Sequence, residues 1–260
     1  MSNFRTILYS VQQHCCTITL NRPEKGNALH FVMIRELKEA LQLAEADTTI
    51  RVVVVNAAGN TFCAGQDMEY LSKLQGYGFD ENLQDSVYLL ELFTKLYKYN
   101  KLVISVVQGA AIGSGATLAS LADYTIATPN AYFQFSSVKY GYVPALDMIF
   151  LPIKIGEAKS RELLLIADPI PAEEAQKIGL ISKVTEPENL NTVVQNLVTK
   201  ISTENSMGAI EFTKRMLADL HGMTFSEASV FAAKINAHTR TTAEAKQGMN
   251  DFLNKRKPSW

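Results

Sequence analysis

The sequence predicts an α/β fold with a parallel sheet, followed by a helical carboxyl-terminal region. Three observations carry this. Residues 52–55 (VVVV) and 102–108 (LVISVVQ) are short β-branched runs with little polar alternation, as in strands buried on both faces. Between residues 50 and 185 such runs alternate with segments of helical periodicity, the pattern of parallel strands joined by crossover helices. From about residue 190 to 252 the chain reads as almost continuous helix.

The elements follow in order. Residues 6–11 and 15–20 read as two strands about a Gln12-Gln13-His14 turn, the second alternating through Thr17, Ile18, Thr19 and Leu20. Residues 21–26 form a loop marked by Pro23 and Gly26. Val32, Ile34, Leu37, Ala40, Leu41 and Ala44 recur at helical spacing, which predicts a helix over 29–46. Further helices are expected over 68–74, 81–97, 116–122, 157–167 and 172–178, and further strands over 123–127 and 131–135. Residues 1–195 are expected to form the core and 196–260 a helical region apart from it.

Composition narrows the function. The chain has 260 residues, 47% hydrophobic and 20% charged, with a formal net charge of -1. That suits one large globular domain, or one domain plus a helical extension. It lacks the basic stripe of a nucleic-acid binder, and no run approaches the roughly 18 apolar residues of a membrane span. The first twelve residues mix polar and apolar types and do not read as a signal peptide. Cys15, Cys16 and Cys63 make neither a disulfide framework nor a CxxC pair, so a reducing, cytoplasmic compartment is expected.

Two strand–turn–helix units draw attention. Cys63-Ala64-Gly65-Gln66 and Ile112-Gly113-Ser114-Gly115 each place small residues between a buried strand and a helix. A helix start leaves backbone N–H groups unpaired and aligned with the helix dipole. Two such turns facing each other can donate to one oxygen, forming an oxyanion hole for the enolate of a thioester. The plainer alternative is that Gly113 and Gly115 only let a helix pack closely on a strand.

The motifs Asn21-Arg22-Pro23, Asn27-Ala28-Leu29, Phe62-Cys63-Ala64-Gly65-Gln66-Asp67, Val107-Gln108-Gly109-Ala110-Ala111-Ile112-Gly113-Ser114-Gly115, Leu121-Ala122-Asp123 and Gly179-Leu180-Ile181 occur in that order, and residues 248–258 close the series. In them the chain resembles the crotonase (enoyl-CoA hydratase/isomerase) superfamily over nearly its whole length. The resemblance implies a spiral of ββα units, a carboxyl-terminal helical trimerisation region, and assembly as a homotrimer or hexamer. It implies an acyl-CoA or acyl-carrier-protein substrate. No separate cofactor is expected, because coenzyme A or phosphopantetheine arrives as part of that substrate. It implies oxyanion donors at the N–H groups of Gln66 and Ser114. It places the carrier arm against the loop from Lys25 through Ala28 to Leu29, with Ala64 and Met68, and counts Gly65, Asp67, Gly113, Thr117 and Ser137 among the substrate-binding residues.

Hydratases resembling this chain use two glutamates around one water. Here those positions are Thr117 and Ser137, and neither exchanges protons unaided near neutrality. Ordinary hydration is therefore not expected. Decarboxylation, as in members of polyketide β-branching cassettes, would need an oxyanion hole and one proton donor, and Tyr70 with Lys73 could meet a substrate carboxylate. Double-bond isomerisation would need one proton shuttle, and Asp147, after Pro144-Ala145-Leu146, is the acid nearest the expected place. Asp67 reads as a helix cap, and Lys255, Arg256 and Lys257 read either as a solvated tail or as a phosphate contact. A non-catalytic thioester binder remains the reading from another class.

Overall fold

The computed structural model describes residues 4–258 and 260. Strands β1 (Ile7–Gln12) and β2 (Cys15–Leu20) form an antiparallel hairpin, and α1 (Phe31–Ala46) follows. Strands β3 (Val52–Ala57) and β4 (Thr61–Cys63) lead to α2 (Met68–Leu74) and α3 (Phe79–Tyr97). The unit then recurs. β5 (Leu102–Val107) and β6 (Ala110–Ile112) lead to α4 (Ser114–Ser120). β7 (Tyr124–Ala127) and β8 (Tyr132–Gln134) lead to α5 (Asp147–Ile155) and α6 (Glu157–Ile166). β9 (Ile170–Pro171), α7 (Ala172–Lys177) and β10 (Lys183–Val184) complete the spiral. Helices α8 (Pro187–Glu204), α9 (Met207–Leu220), α10 (Phe225–Thr239) and α11 (Ala243–Leu253) end the chain.

The pairs β3–β4, β5–β6 and β7–β8 each give their first strand to one sheet and their second to another. The larger sheet runs β1-β2-β3-β5-β7-β10, parallel from β2 onward, and the smaller runs β4-β6-β8-β9. The continuous apolar runs follow from this geometry. Val53, Val55, Val103 and Val107 enter the main core, while Val52, Val54, Ile104 and Val106 pack on the opposite face. Both faces are buried, so neither can be polar.

Several expected bounds move. The small-residue helix begins at Ser114 and ends at Ser120, earlier than 116–122, because the glycine turn itself supplies the first helical residue. The short strand β6, hidden between two glycines, was not expected. The expected division at residue 195 falls inside a helix. α8 runs unbroken through it, and Val194, Val198 and Ile201 pack on the outer face of the larger sheet. By contrast, α9, α10 and α11 bury no residue within the chain.

Candidate active site

The site lies where the two small-residue turns meet. β4 and β6 are parallel neighbours, with Cys63 beside Ala111. That pairing carries the turns after them to the same edge. A Cβ built on Gly65 would stand 2.9 Å from the Ile112 carbonyl and 3.8 Å from Ser114 N, and Gly65 has φ +96°. A Cβ on Gly115 would stand 2.2 Å from the Cys63 carbonyl. Only glycine fits at either place. The packing role considered for these glycines is thus real for Gly115, and it is what brings the turns together.

The backbone at both turns leaves a donor free. Leu29 and Gln66 form an isolated parallel bridge, in which Leu29 N donates to Gly65 O (2.7 Å) and Asp67 N to Leu29 O (2.8 Å). The Gln66 N–H therefore points away from the bridge and has no partner among the described residues. Ser114 is the first residue of α4, so its N–H has no acceptor within the helix. Both residues line a cavity of about 550 Å³. Two such donors can hold an oxygen that gains negative charge.

The loop before α1 is zipped onto the first turn. Ala64 N donates to Gly26 O (2.9 Å). Asn27, fully buried at φ +54°, donates to the carbonyls of Ala58 and Thr61 and accepts from Arg22 N, each at 2.8 Å. Arg22 in turn reaches the Ala28 carbonyl (2.9 Å) and the Asp67 carboxylate (3.1 Å). Asp67 caps α2, accepting from the N–H groups of Glu69 and Tyr70. Burial works against its charge, but the Tyr70 N–H and the Arg22 guanidinium outweigh that and hold the carboxyl below the usual range. Asp67 is thus a structural cap. Lys25 is exposed and paired with Glu69 (2.7 Å), Ala28 is buried, and Ala64 and Met68 are exposed at the cavity, Met68 by 60%.

The acidic group of the deep site is Asp147, at the first position of α5 and only 6% exposed. Its carboxylate accepts a hydrogen bond from the Thr117 hydroxyl. Burial, partly opposed by that bond, pushes its carboxyl up to about 6. Thr117, Asp147 and Ser137 all line the cavity with the two turns. Tyr70, expected as a donor, stands elsewhere. Its hydroxyl is given to the Asp85 carboxylate on α3, and it does not line the cavity. Burial, then the Asp85 bond, pushes its phenol well above the usual range. Lys73 is exposed. His238 rests edge-on against Phe212 (5.3 Å), also outside the cavity. Asp85 lines the cavity and was not singled out in the sequence. Its sign was the helical stripe Asn82, Asp85, Ser86, Leu89, Phe93, whose members all face the same space. Among the described residues lining the cavity there is no lysine, arginine or histidine.

The model of the enoyl-CoA hydratase/isomerase family matches residues 10–260. The chain belongs to that family. This enoyl-CoA hydratase/isomerase family member is 31% identical to the 1,2-epoxyphenylacetyl-CoA isomerase of Escherichia coli, over 98% of this chain and 97% of the relative. It is 28% identical to the trans-2-decenoyl-[acyl-carrier-protein] isomerase of Streptococcus mutans, over 99% and 98%. An enoyl-CoA hydratase structure from Shewanella pealeana superposes with a TM-score of 0.93 at 27% identity, covering 99% of this chain and 97% of that one. The expected crotonase spiral is thus the fold of this chain. No helix among the described residues is long and apolar enough to cross a membrane.

Proposed function

We propose that the protein isomerises the double bond of an unsaturated acyl thioester, with Asp147 as the single proton shuttle. The carrying observation is the buried Asp147 carboxylate, held by Thr117 in the cavity that the two free N–H groups line. The thioester carbonyl sits at the oxyanion hole of the Gln66 and Ser114 N–H groups. Asp147 removes a proton from one carbon of the allylic system, and the resulting dienolate is stabilised at its oxygen. Asp147 then returns the proton two carbons away. A carboxyl held near 6 suits this exchange, since base and conjugate acid are both accessible near neutrality.

Hydration fits less well, because Thr117 and Ser137 stand where the resemblance puts the two hydratase glutamates. Decarboxylation fits less well because an acid-bearing acyl group would find no cation in the cavity. Among the relatives, the Streptococcus mutans protein is named for an isomerisation of an unsaturated acyl thioester, while others, such as one of Thermus thermophilus at 33% identity, are named enoyl-CoA hydratases. The carrier is coenzyme A or the phosphopantetheine of a carrier protein, laid along the 22–29 loop. The unburied faces of α9–α11, with Leu217, Phe225, Met249, Phe252 and Leu253 exposed, support assembly as a homotrimer or hexamer. Three free, buried thiols accord with a cytoplasmic setting.

The test is incubation with 2-enoyl-, 3-enoyl- and dicarboxylyl-CoA thioesters in deuterated water, read by mass spectrometry with chromatographic separation of double-bond isomers. Double-bond migration with deuterium uptake is expected. Gain of water would replace this reading with hydration, loss of CO2 with decarboxylation, and binding without exchange with a silent thioester binder.

A further inference from the structure

We propose that Thr117 couples the base to the oxyanion hole, by turning one hydroxyl proton between the carboxylate of Asp147 and the carbonyl of Gly113. This rests on the isomerase reading above and adds to it a link between its two halves. The Thr117 hydroxyl oxygen stands 3.2 Å from Gly113 O and is also hydrogen-bonded to Asp147 Oδ1. It carries one proton, so it cannot donate to both at once.

The protonation state of Asp147 selects the direction. An ionised carboxylate only accepts, so the Thr117 proton points to Asp147. Asp147 takes the substrate proton on its free carboxylate oxygen; the carboxyl then turns so that this O–H donates to the Thr117 oxygen, the Thr117 proton swings to Gly113 O, and the reverse turn presents the proton to the substrate again. That carbonyl already accepts the Thr117 N–H (3.1 Å) and has a second lone pair for the hydroxyl.

Gly113 C=O and Ser114 N–H belong to one peptide group. A hydrogen bond accepted at the carbonyl polarises the group and strengthens the donor at its other end. Proton arrival at Asp147 is the moment at which negative charge appears on the substrate oxygen. The relay therefore strengthens the Ser114 donor when the dienolate forms and relaxes it when the proton is returned. Other groups leave Thr117 as the switch. α4 itself carries no ionisable side chain. Around Asp147 the ionisable groups lining the cavity are Asp85, bonded by Tyr70, and Tyr140 and Tyr142. On its own helix α5, Lys154 donates to the carbonyls of Ser120 and Ala122. Glu157 and Arg161 of α6 line a separate cavity with Met148 and Pro152.

The experiment binds hexanoyl-CoA, labelled with ¹³C at its carbonyl, to the full-length protein and follows the carbonyl stretch by isotope-edited infrared spectroscopy against pH. In the wild type the stretch steps to lower frequency as pH falls through about 6. Thr117→Ser keeps the step. Thr117→Val binds the thioester but loses the step, and its α-proton exchange falls about five- to tenfold, the size of one hydrogen bond. Asp147→Asn shows no step. A step of wild-type size in Thr117→Val would mean that Asp147 acts through space, and would overturn the relay. So would a flat wild-type profile with ligand bound. If Thr117→Val does not fold by circular dichroism, a persisting step in Asp147→Asn or its loss in Thr117→Ser overturns the proposal equally. Because the readout needs only binding, a pH step without double-bond migration would sink the isomerase reading while leaving the coupling intact.

Discussion

Gly115 of α4 lies flat against the backbone of Cys63 in β4, so close that a Cβ on the glycine would stand 2.2 Å from the Cys63 carbonyl oxygen and 2.8 Å from its Cβ. Neither neighbour is a flexible side-chain tip. A methyl group there must push α4 away from β4, and with it the Ser114 N–H away from that of Gln66. Gly115→Ala is expected to lower stability by about 1–3 kcal/mol, as overpacking does, and to weaken acyl-CoA binding at least about tenfold. Urea denaturation and calorimetric titration measure the two effects. Wild-type affinity in a folded Gly115→Ala protein would show that the two turns do not act on one oxygen.

Asp147 ties activity to pH and to stability in opposite senses. As the proposed base it must be ionised, so kcat/KM for the proposed isomerisation is expected to rise as pH climbs through about 6. Asp147→Asn removes the shuttle and lowers the rate by about 10²–10⁴. In stability the sign reverses. The folded carboxyl holds its proton more tightly than the unfolded one, about 6 against a reference of 3.8. Below the lower value both states are protonated and nothing is lost. As pH rises from about 4 to 6 the folded state loses stability, on the order of 3 kcal/mol, and the loss is complete above 6. Asp147→Asn should therefore melt higher than wild type at pH 8 and no higher near pH 4. A melting temperature lowered equally at both values would show that the carboxylate is not held against its solvation.

The spiral was legible because its strands are buried on both faces, so residues 52–55 and 102–108 could hardly be anything else. The glycine turns were legible because close backbone approach admits few residue types. β6 was hidden by its length, three residues between glycines. The division expected at residue 195 falls inside α8, whose apolar stripe looks the same from sequence whether it meets the sheet or another helix. Asp147 was found through the resemblance, and Thr117 was expected in the substrate pocket at the place of a glutamate, but not as the partner of Asp147. That a hydroxyl on α4 reaches the first residue of α5, thirty positions later, is a fact of tertiary packing with no local signature. Tyr70 misled for a related reason: its hydroxyl meets Asp85 across the α2–α3 wall, a contact no periodicity announces.

That contact predicts a division of labour. Tyr70→Phe removes a strut between α2 and α3, and isomerisation should stay within about fivefold of wild type while stability drops by about 1 kcal/mol. A loss of a hundredfold or more with unchanged stability would return Tyr70 to the chemistry. Asp85→Asn should instead change selectivity. The cavity carries carboxylates at Asp85 and Asp147 and no cation among its described residues. A third negative charge on the acyl group is thus opposed, and removing one carboxylate should shift relative affinity toward glutaryl-CoA over hexanoyl-CoA by about tenfold. An unchanged affinity ratio would mean that the acyl chain does not approach α3.

Arg22 supplies the last prediction, because it holds the loop proposed to carry the thioester arm without touching the deep site. Its guanidinium joins the Ala28 carbonyl on one side of the bridge to the Asp67 cap on the other. Arg22→Met keeps the length of the side chain and removes both charge-assisted bonds, leaving the Asp67 carboxylate to its two backbone donors. The loop should loosen where the thioester arm lies, while Asp147, Thr117 and the Gln66 and Ser114 donors stay in place. The expected result is a rise in KM of about tenfold, the size of a charge-assisted bond, with kcat little altered and the pH profile still turning at the Asp147 carboxyl. A fall in kcat with KM unchanged would mean that the loop positions the reacting carbonyl itself, through the Leu29–Gln66 bridge, and that arm and chemistry share one rigid element.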